Sequence, residues 1–216
     1  MTTIRHVRAS DRDAVYDICL RTADAGDDGT LLYADPQLPG HVWAGPYVAL
    51  EPQHAFVVDD DGRAIGYVLG ALDSRAFEAE LERTWWPPLR VQYPLDGAAT
   101  APGDRIARHL IHHPPRADET IVGDFPSHLH IDLLPVAQGR GNGRRLIDRL
   151  LDSLRADGSR GVHLGVSRRN LRAPEFYRAL GFEELLADDR HLVFGMRLMP
   201  GDAPPDRKTR RAAPSG

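Results

Sequence analysis

QGRGNGRRL, residues 138–146, sets glycines at 139, 141 and 143 and then runs straight into Arg144, Arg145 and the helical pattern of RRLIDRLLDSLRAD. Glycines this close together serve either a tight turn with positive φ or a backbone that another group must approach closely. The run before them, SHLHIDLLP at residues 127–135, is β-rich and closed by Pro135, and Gly158 marks the end of the helix that follows. A strand that passes through such a loop into a helix collects unpaired N–H groups and the positive end of a helix dipole in one place, which suits a phosphate. Two widespread phosphate loops do not fit. GxxxxGK[ST] lacks its lysine, because Lys208 is the only one in the chain, and GxGxxG fails on spacing and on the absence of an early βαβ unit.

The flanking segments give the architecture. IRHVR, residues 4–8, alternates as a strand, Ser10 stands where an N-cap would, and DRDAVYDICLRTAD follows as an amphipathic helix with Val15, Ile18 and Cys19 on its stripe. Residues 24–53 are broken by glycine and proline and read as an ordered loop or interrupted helix covering something. HAFVVDDDGRAIGYVLGALD, residues 54–73, is a hairpin turned at Asp-Gly. A helical pattern begins at Ser74 and is expected to stop at Pro87 and Pro88, and residues 94–127 read as irregular around DRIARHLIHH. After the glycine loop and its helix come a strand at GVHLGVS, a short helix at APEFYRALG and a final strand at DRHLVFGMRLM. The order β, α, hairpin, β, loop, α, β, α, β predicts a mixed α/β sheet.

Composition narrows the class. With 216 residues, 42% hydrophobic and 27% charged, the chain fits one soluble domain. No apolar run nears the roughly 18 residues of a membrane span, and the polar start predicts no signal peptide. The lone Cys19 excludes a disulfide framework and reads as a buried structural thiol, so a cytoplasmic protein is expected. A net charge of −4 argues against a general nucleic-acid binder. The near-exclusive use of arginine as the basic residue is the habit of GC-rich bacterial genomes. His112 and His113 are adjacent and point apart on a helix, so no metal is expected there, and Trp85 and Trp86 read as core groups or as a wall of a substrate pocket.

Gln138-Gly139-Arg140-Gly141-Asn142-Gly143 resembles the Q/R-x-x-G-x-G/A pyrophosphate signature of the GNAT superfamily of N-acetyltransferases. The likeness extends over IRHVRASDRDAV, the hairpin, the strand ending Leu133-Leu134-Pro135, and Asn170-Leu-Arg-Ala-Pro-Glu-Phe-Tyr-Arg-Ala-Leu-Gly-Phe182. HIDLLP, LRADGSRGVHLGV and AVYDIC further resemble the acetyltransferase-like C-terminal domain of animal O-GlcNAcases and its stand-alone bacterial relatives, although the glycine loop, degraded in that domain, is intact here. The resemblance implies the GNAT fold, an α/β architecture with a mixed, mostly antiparallel twisted sheet flanked by helices and splayed at the acetyl-CoA site. It implies one domain over residues 1–200 with insertions at about 24–53 and 74–127 that shape the acceptor site, and a disordered tail at 201–216.

The resemblance also implies site residues. Leu133 and Leu134 are expected to offer backbone groups to the pantetheine arm of acetyl-CoA, the N–H groups from Gln138 to Arg144 to hold its pyrophosphate, and Arg140 and Arg144 to add charge at the rim. Tyr177 matches the tyrosine that protonates or hydrogen-bonds the CoA sulfur, and Asn170 matches a position that contacts the cofactor arm or caps a helix. Strand parity puts His128, His130 and Asp132 on one face and Leu129, Ile131 and Leu133 on the other. Asp132 and His130 are therefore the candidates for binding or deprotonating an amine, against the alternative of a structural His/Asp pair. The expected activity is direct transfer from acetyl-CoA to a primary amine, with an acetyl-CoA-binding module of little or no activity as the alternative. An amine acceptor is the expected partner, with neither nucleic acid nor membrane, and the family also allows a homodimer.

Overall fold

A computed structural model describes residues 2–97 and 101–198. The tail expected at 201–216 lies outside the described residues. Strands β1 (Thr3–His6), β2 (Ala55–Asp60), β3 (Arg63–Ala71), β4 (Ser127–Leu133), β5 (Gly161–Ser167), β6 (Glu183–Ala187) and β7 (His191–Arg197) form one seven-stranded sheet in the order β1-β2-β3-β4-β5-β7-β6. Every pairing is antiparallel except β4 with β5. This is the mixed, mostly antiparallel sheet flanked by helices that the sequence implied.

The hairpin forms as expected, with Asp61 and Gly62 both at positive φ, 49° and 89°, in the two-residue turn between β2 and β3. Strand β3 is buried on both faces for nearly its whole length, which explains its unbroken apolar reading. Ala55, Val57, Tyr67 and Leu69 point to one core cluster, and Phe56, Val58 and Val68 to the other. Over the first face lie α1 (Arg12–Leu20), α2 (Leu38–Trp43), α3 (Gly45–Leu50), α4 (Ser74–Glu80), α5 (Trp86–Gln92) and α6 (Pro102–His112), with a short α7 (Glu119–Val122) leading into β4. The second face carries α8 (Asn142–Ala156), whose Leu146, Ile147, Leu150, Leu151 and Leu154 form a buried stripe, and α9 (Ala173–Leu180). Among the described residues, no helix is long and apolar enough to cross a membrane.

Three local expectations are corrected. Ser10 does not cap α1: it lies inside a 3₁₀ turn, and Asp11 takes the Arg8 N–H at 2.7 Å and the Arg5 guanidinium at 2.6 Å instead. Pro87 and Pro88 do not end a helix. A π-helical turn, Leu81–Trp85, follows α4, and the prolines fall in the first turn of α5, where a missing N–H costs no hydrogen bond. Strand β6 was not anticipated. Its residues are mostly exposed along the sheet edge, so its sequence carries little alternation.

Candidate functional site

Strands β4 and β5 pair only through Ser127 with Val162 and His128 with His163, and then part. Beyond that point β5 continues on β7 and β4 continues on β3, so a gap opens in the middle of the sheet. The Leu134 N–H donates to the Ile65 carbonyl at 3.0 Å. Because facing pairs in an antiparallel ladder alternate between bonded and unbonded, His130, Asp132 and Leu134 aim their amides at β3, while Ile131 and Leu133 aim theirs into the gap. Leu134 is thus committed to the sheet, and it is Ile131 that joins Leu133 in turning its amide to the gap. The Leu133 carbonyl accepts from the Gln138 side chain at 2.9 Å, which ties the glycine loop to the end of β4.

Within the loop, Gly139 and Gly141 sit at φ of 71° and 75°, and a Cβ on either would meet nothing within 4 Å. The left-handed backbone therefore favours glycine at these two positions, while the space beside them is open. Gly143 serves differently, since its missing Cβ lets Phe176 of α9 approach. Among the described residues, the N–H groups of residues 139–144 have no partner, and the first bond of α8 runs from the Arg145 N–H to the Gly141 carbonyl. This run of free donors at the start of a fifteen-residue helix fits the diphosphate of acetyl-CoA. The Asn142 side chain faces inward: its Nδ2 donates to the Ala137 carbonyl and its Oδ1 accepts from Arg145. Arg144 spends one guanidinium nitrogen on the Ala179 carbonyl at 2.9 Å, and Arg140 stands exposed with no bond among the described residues.

The gap leads to a cavity of about 270 Å³ that His130, Asp132, Asn170 and Tyr177 all border. Cys19, Thr22, Ala25, Gly26 and Trp43 form its other side. Burial pushes the Asp132 carboxyl up to about 7, and hydrogen bonding from Tyr67, 2.5 Å away, opposes that rise. Burial pushes His130 down to about 4, so its ring is neutral at neutral pH. Tyr177 is held far above neutral pH by burial first and by the charge of Asp132 second, and its hydroxyl has no hydrogen-bond partner among the described residues. The Asn170 Oδ1 accepts the Ala173 N–H at the start of α9 at 3.1 Å, so this residue caps a helix while it lines the cavity.

His128 stands apart from the cavity, bonded at Nδ1 to Ser74 and at Nε2 to Tyr47. Trp85 and Trp86 pack into or against the core, the first of the two roles the sequence allowed them, and Trp43 forms a wall of the cavity instead. Residues 24–53 contribute Ala25, Gly26 and Trp43 to the cavity, and no described residue of 74–127 lines it. Cys19 is buried in α1 with its thiol pushed up by burial and by Asp132. Thr22, Tyr67 and Trp43 escaped the sequence reading because they reach the site from elements distant in the chain. Helical spacing from Cys19 would have found Thr22 alone.

The sequence profile described as "Acetyltransferase (GNAT) family" matches residues 106–182. The crystal structure of a protein called SsHAT is 40% identical, covers 92% of this chain and 99% of its own, and superposes with a TM-score of 0.84. The rat (Rattus norvegicus) protein named Protein O-GlcNAcase is 29% identical over 185 residues, which is 85% of this chain and 20% of that protein. The chain thus spans about a fifth of the length of the curated relatives it matches. A phosphinothricin acetyltransferase from Sinorhizobium meliloti, solved in complex with acetyl-CoA, shares the fold at 16% identity with a TM-score of 0.56, covering 91% of this chain and 88% of its own.

Proposed function

The chain belongs to the acetyltransferase (GNAT) family, and we propose that it transfers the acetyl group of acetyl-CoA directly to a primary amine, on a small molecule or a protein lysine, within a ternary complex. One observation carries the reading: the unpartnered N–H groups of residues 139–144 open beside the gap between β4 and β5, and that gap ends at Asp132 and Tyr177. When bound, acetyl-CoA supplies an activated acetyl thioester. The chain's own residues supply the rest. The loop N–H groups and the α8 dipole hold the diphosphate, Arg140 adds charge at the rim, and the backbone edges at Ile131 and Leu133 orient the pantetheine arm.

Asp132 accepts a proton from an incoming ammonium at its free oxygen, since a carboxyl near 7 is matched to that task at neutral pH. His130 stays neutral, so it accepts a hydrogen bond from the amine without repelling its charge. Tyr177 keeps its proton across the working range and borders the cavity, which suits it to donate to a departing thiolate. Buried and without an activating partner for its thiol, Cys19 is unsuited to carry the acetyl group, which favours direct transfer.

Calorimetric titration with acetyl-CoA tests the reading, using the wild type, Gly139→Asp and Gly141→Asp. Both positions have open space, and aspartate tolerates a left-handed φ better than most residues, so the variants place a charge in the cradle without steric overlap, at the cost of local backbone strain. Tight binding by the wild type and its loss in both variants is the expected result. No binding by folded wild-type protein ends the proposal. Binding without release of CoA across a panel of amines would leave the chain an acetyl-CoA-binding module.

A further inference from the structure

We infer that Tyr67 is a positioning residue for Asp132: from the centre of the sheet its hydroxyl holds Oδ2 and thereby presents Oδ1 to the cavity. The two residues are cross-strand partners, Tyr67 on β3 and Asp132 on β4, and the hydroxyl donates to Oδ2 at 2.5 Å. Tyr67 is fully buried and does not border the cavity, whereas Asp132 does. Oδ1 has no partner among the described residues. A carboxylate with one oxygen fixed and one free has a single useful orientation. Without Tyr67, its rotation would place either oxygen toward an acceptor or toward α1.

The groups facing Asp132 are few. They are Tyr67 from β3, Cys19 and Thr22 from α1, His130 from its own strand and Tyr177 from α9. None of them is a cation, so the ionised carboxylate depends on hydrogen bonds. Thr22 also lowers Asp132, but less than Tyr67 does, because its hydroxyl is shared with the Ile18 carbonyl at 2.8 Å. Cys19 lies beside the Tyr67 hydroxyl with its thiol protonated, a weak donor at best. Tyr67 is therefore the principal donor that lets a poorly hydrated carboxyl ionise at neutral pH, so it sets both the geometry and the proton affinity of Asp132.

The inference rests on the reading that Asp132 handles the acceptor's proton, and its test requires no acceptor. Protein carrying ¹³C-labelled aspartate is titrated by NMR, with the Asp132 carboxyl resonance identified by its loss in Asp132→Asn. Wild-type Asp132 should titrate near about 7. In Tyr67→Phe, which keeps the ring, the midpoint should rise by about one pH unit, the amount a hydrogen bond to a charged group supports. An unchanged midpoint in folded Tyr67→Phe overturns the inference, and so does a wild-type Asp132 that titrates with the exposed carboxylates. If Tyr67→Phe does not fold, the unaltered chain still answers. Above its midpoint the Tyr67 hydroxyl proton should be protected from exchange and lose that protection in Asp132→Asn, and equal exchange in both overturns the inference. Acetyl-CoA binding does not enter these readouts, so failure of the acetyltransferase reading and failure of this one are separately visible.

Discussion

A Cβ on Gly143 would stand 3.1 Å from Phe176 Cζ, so α8 and α9 meet at this glycine. The contact joins the helix that begins at the phosphate loop to the helix that carries Tyr177. Gly143→Ala should crowd this ring by a few tenths of an ångström, a cost of about 1 kcal/mol set against the helix propensity that alanine gains. Adding Phe176→Ala should remove most of that cost, because the ring would no longer be there to be displaced. Urea unfolding of the two single variants, the double variant and the wild type checks this, and simple additivity would show that the two helices do not press on each other here.

Acid should destabilise the fold through its buried and half-buried histidines. Burial holds His128 and His130 below the ordinary histidine value, and His163 lower as well. For a base whose folded pKa is depressed, stability is complete above the unfolded value near 6.5 and declines as pH falls toward the folded value. Asp132 works in the opposite sense. Its pKa is raised from 3.8 to about 7, so its contribution is complete below about 4 and is lost as pH rises through 7. His41 and His54 are depressed in the same way, and Glu51 and Asp148 are raised like Asp132, so five histidines against three carboxyls leave a net loss on acidification. Thermal melting temperatures recorded between pH 7 and 4.5 should fall steadily, and a flat profile would contradict the burial of these rings.

Two arginine–aspartate pairs fasten the turn at residues 24–28 to the loop after β5. Arg169 reaches Asp24 at 2.7 Å and Arg172 reaches Asp27 at 3.3 Å. Ala25 and Gly26 of that turn border the cavity, and Ala25 is held at a φ of 53°. Exposed pairs contribute little to global stability. Arg169→Ala combined with Arg172→Ala should therefore leave the melting temperature within about two degrees while amide exchange in residues 24–28 accelerates. Unaltered exchange would mean that packing of Gly26 against Asn170 holds the turn unaided.

Most of the architecture was legible because the strands alternate and the helices carry apolar stripes. The parity of β4 correctly set His128, His130 and Asp132 on one face, since a strand has a fixed period of two. It did not separate His128, satisfied by Ser74 and Tyr47, from His130 at the cavity, because those partners come from α4 and α3. The same parity, applied to amides instead of side chains, would have exchanged Leu134 for Ile131. Strand β6 was missed because an exposed edge needs no hydrophobic face. The Pro87–Pro88 pair was misread because the same residues that stop one helix can open the next. The resemblance implied that the sheet splays, but the residue pair at which β5 leaves β4 was not readable, since it depends on pairing between segments far apart in sequence.

That parting gives the molecule an unusual weakness and a remedy for it. A sheet ordinarily keeps its unpaired backbone amides at its borders, but here Ile131 and Leu133 aim theirs between the fourth and fifth of seven strands. The leaf made of β1 to β4, on which α8 packs, and the leaf made of β5 to β7 are joined directly by those two residue pairs. A ligand lying along the seam would act as a missing strand, and because it binds only the folded chain it would raise stability in proportion to the logarithm of its concentration. Protease resistance would then follow the supply of the small molecule, so the amount of intact protein in a cell would itself register how much of that molecule is present.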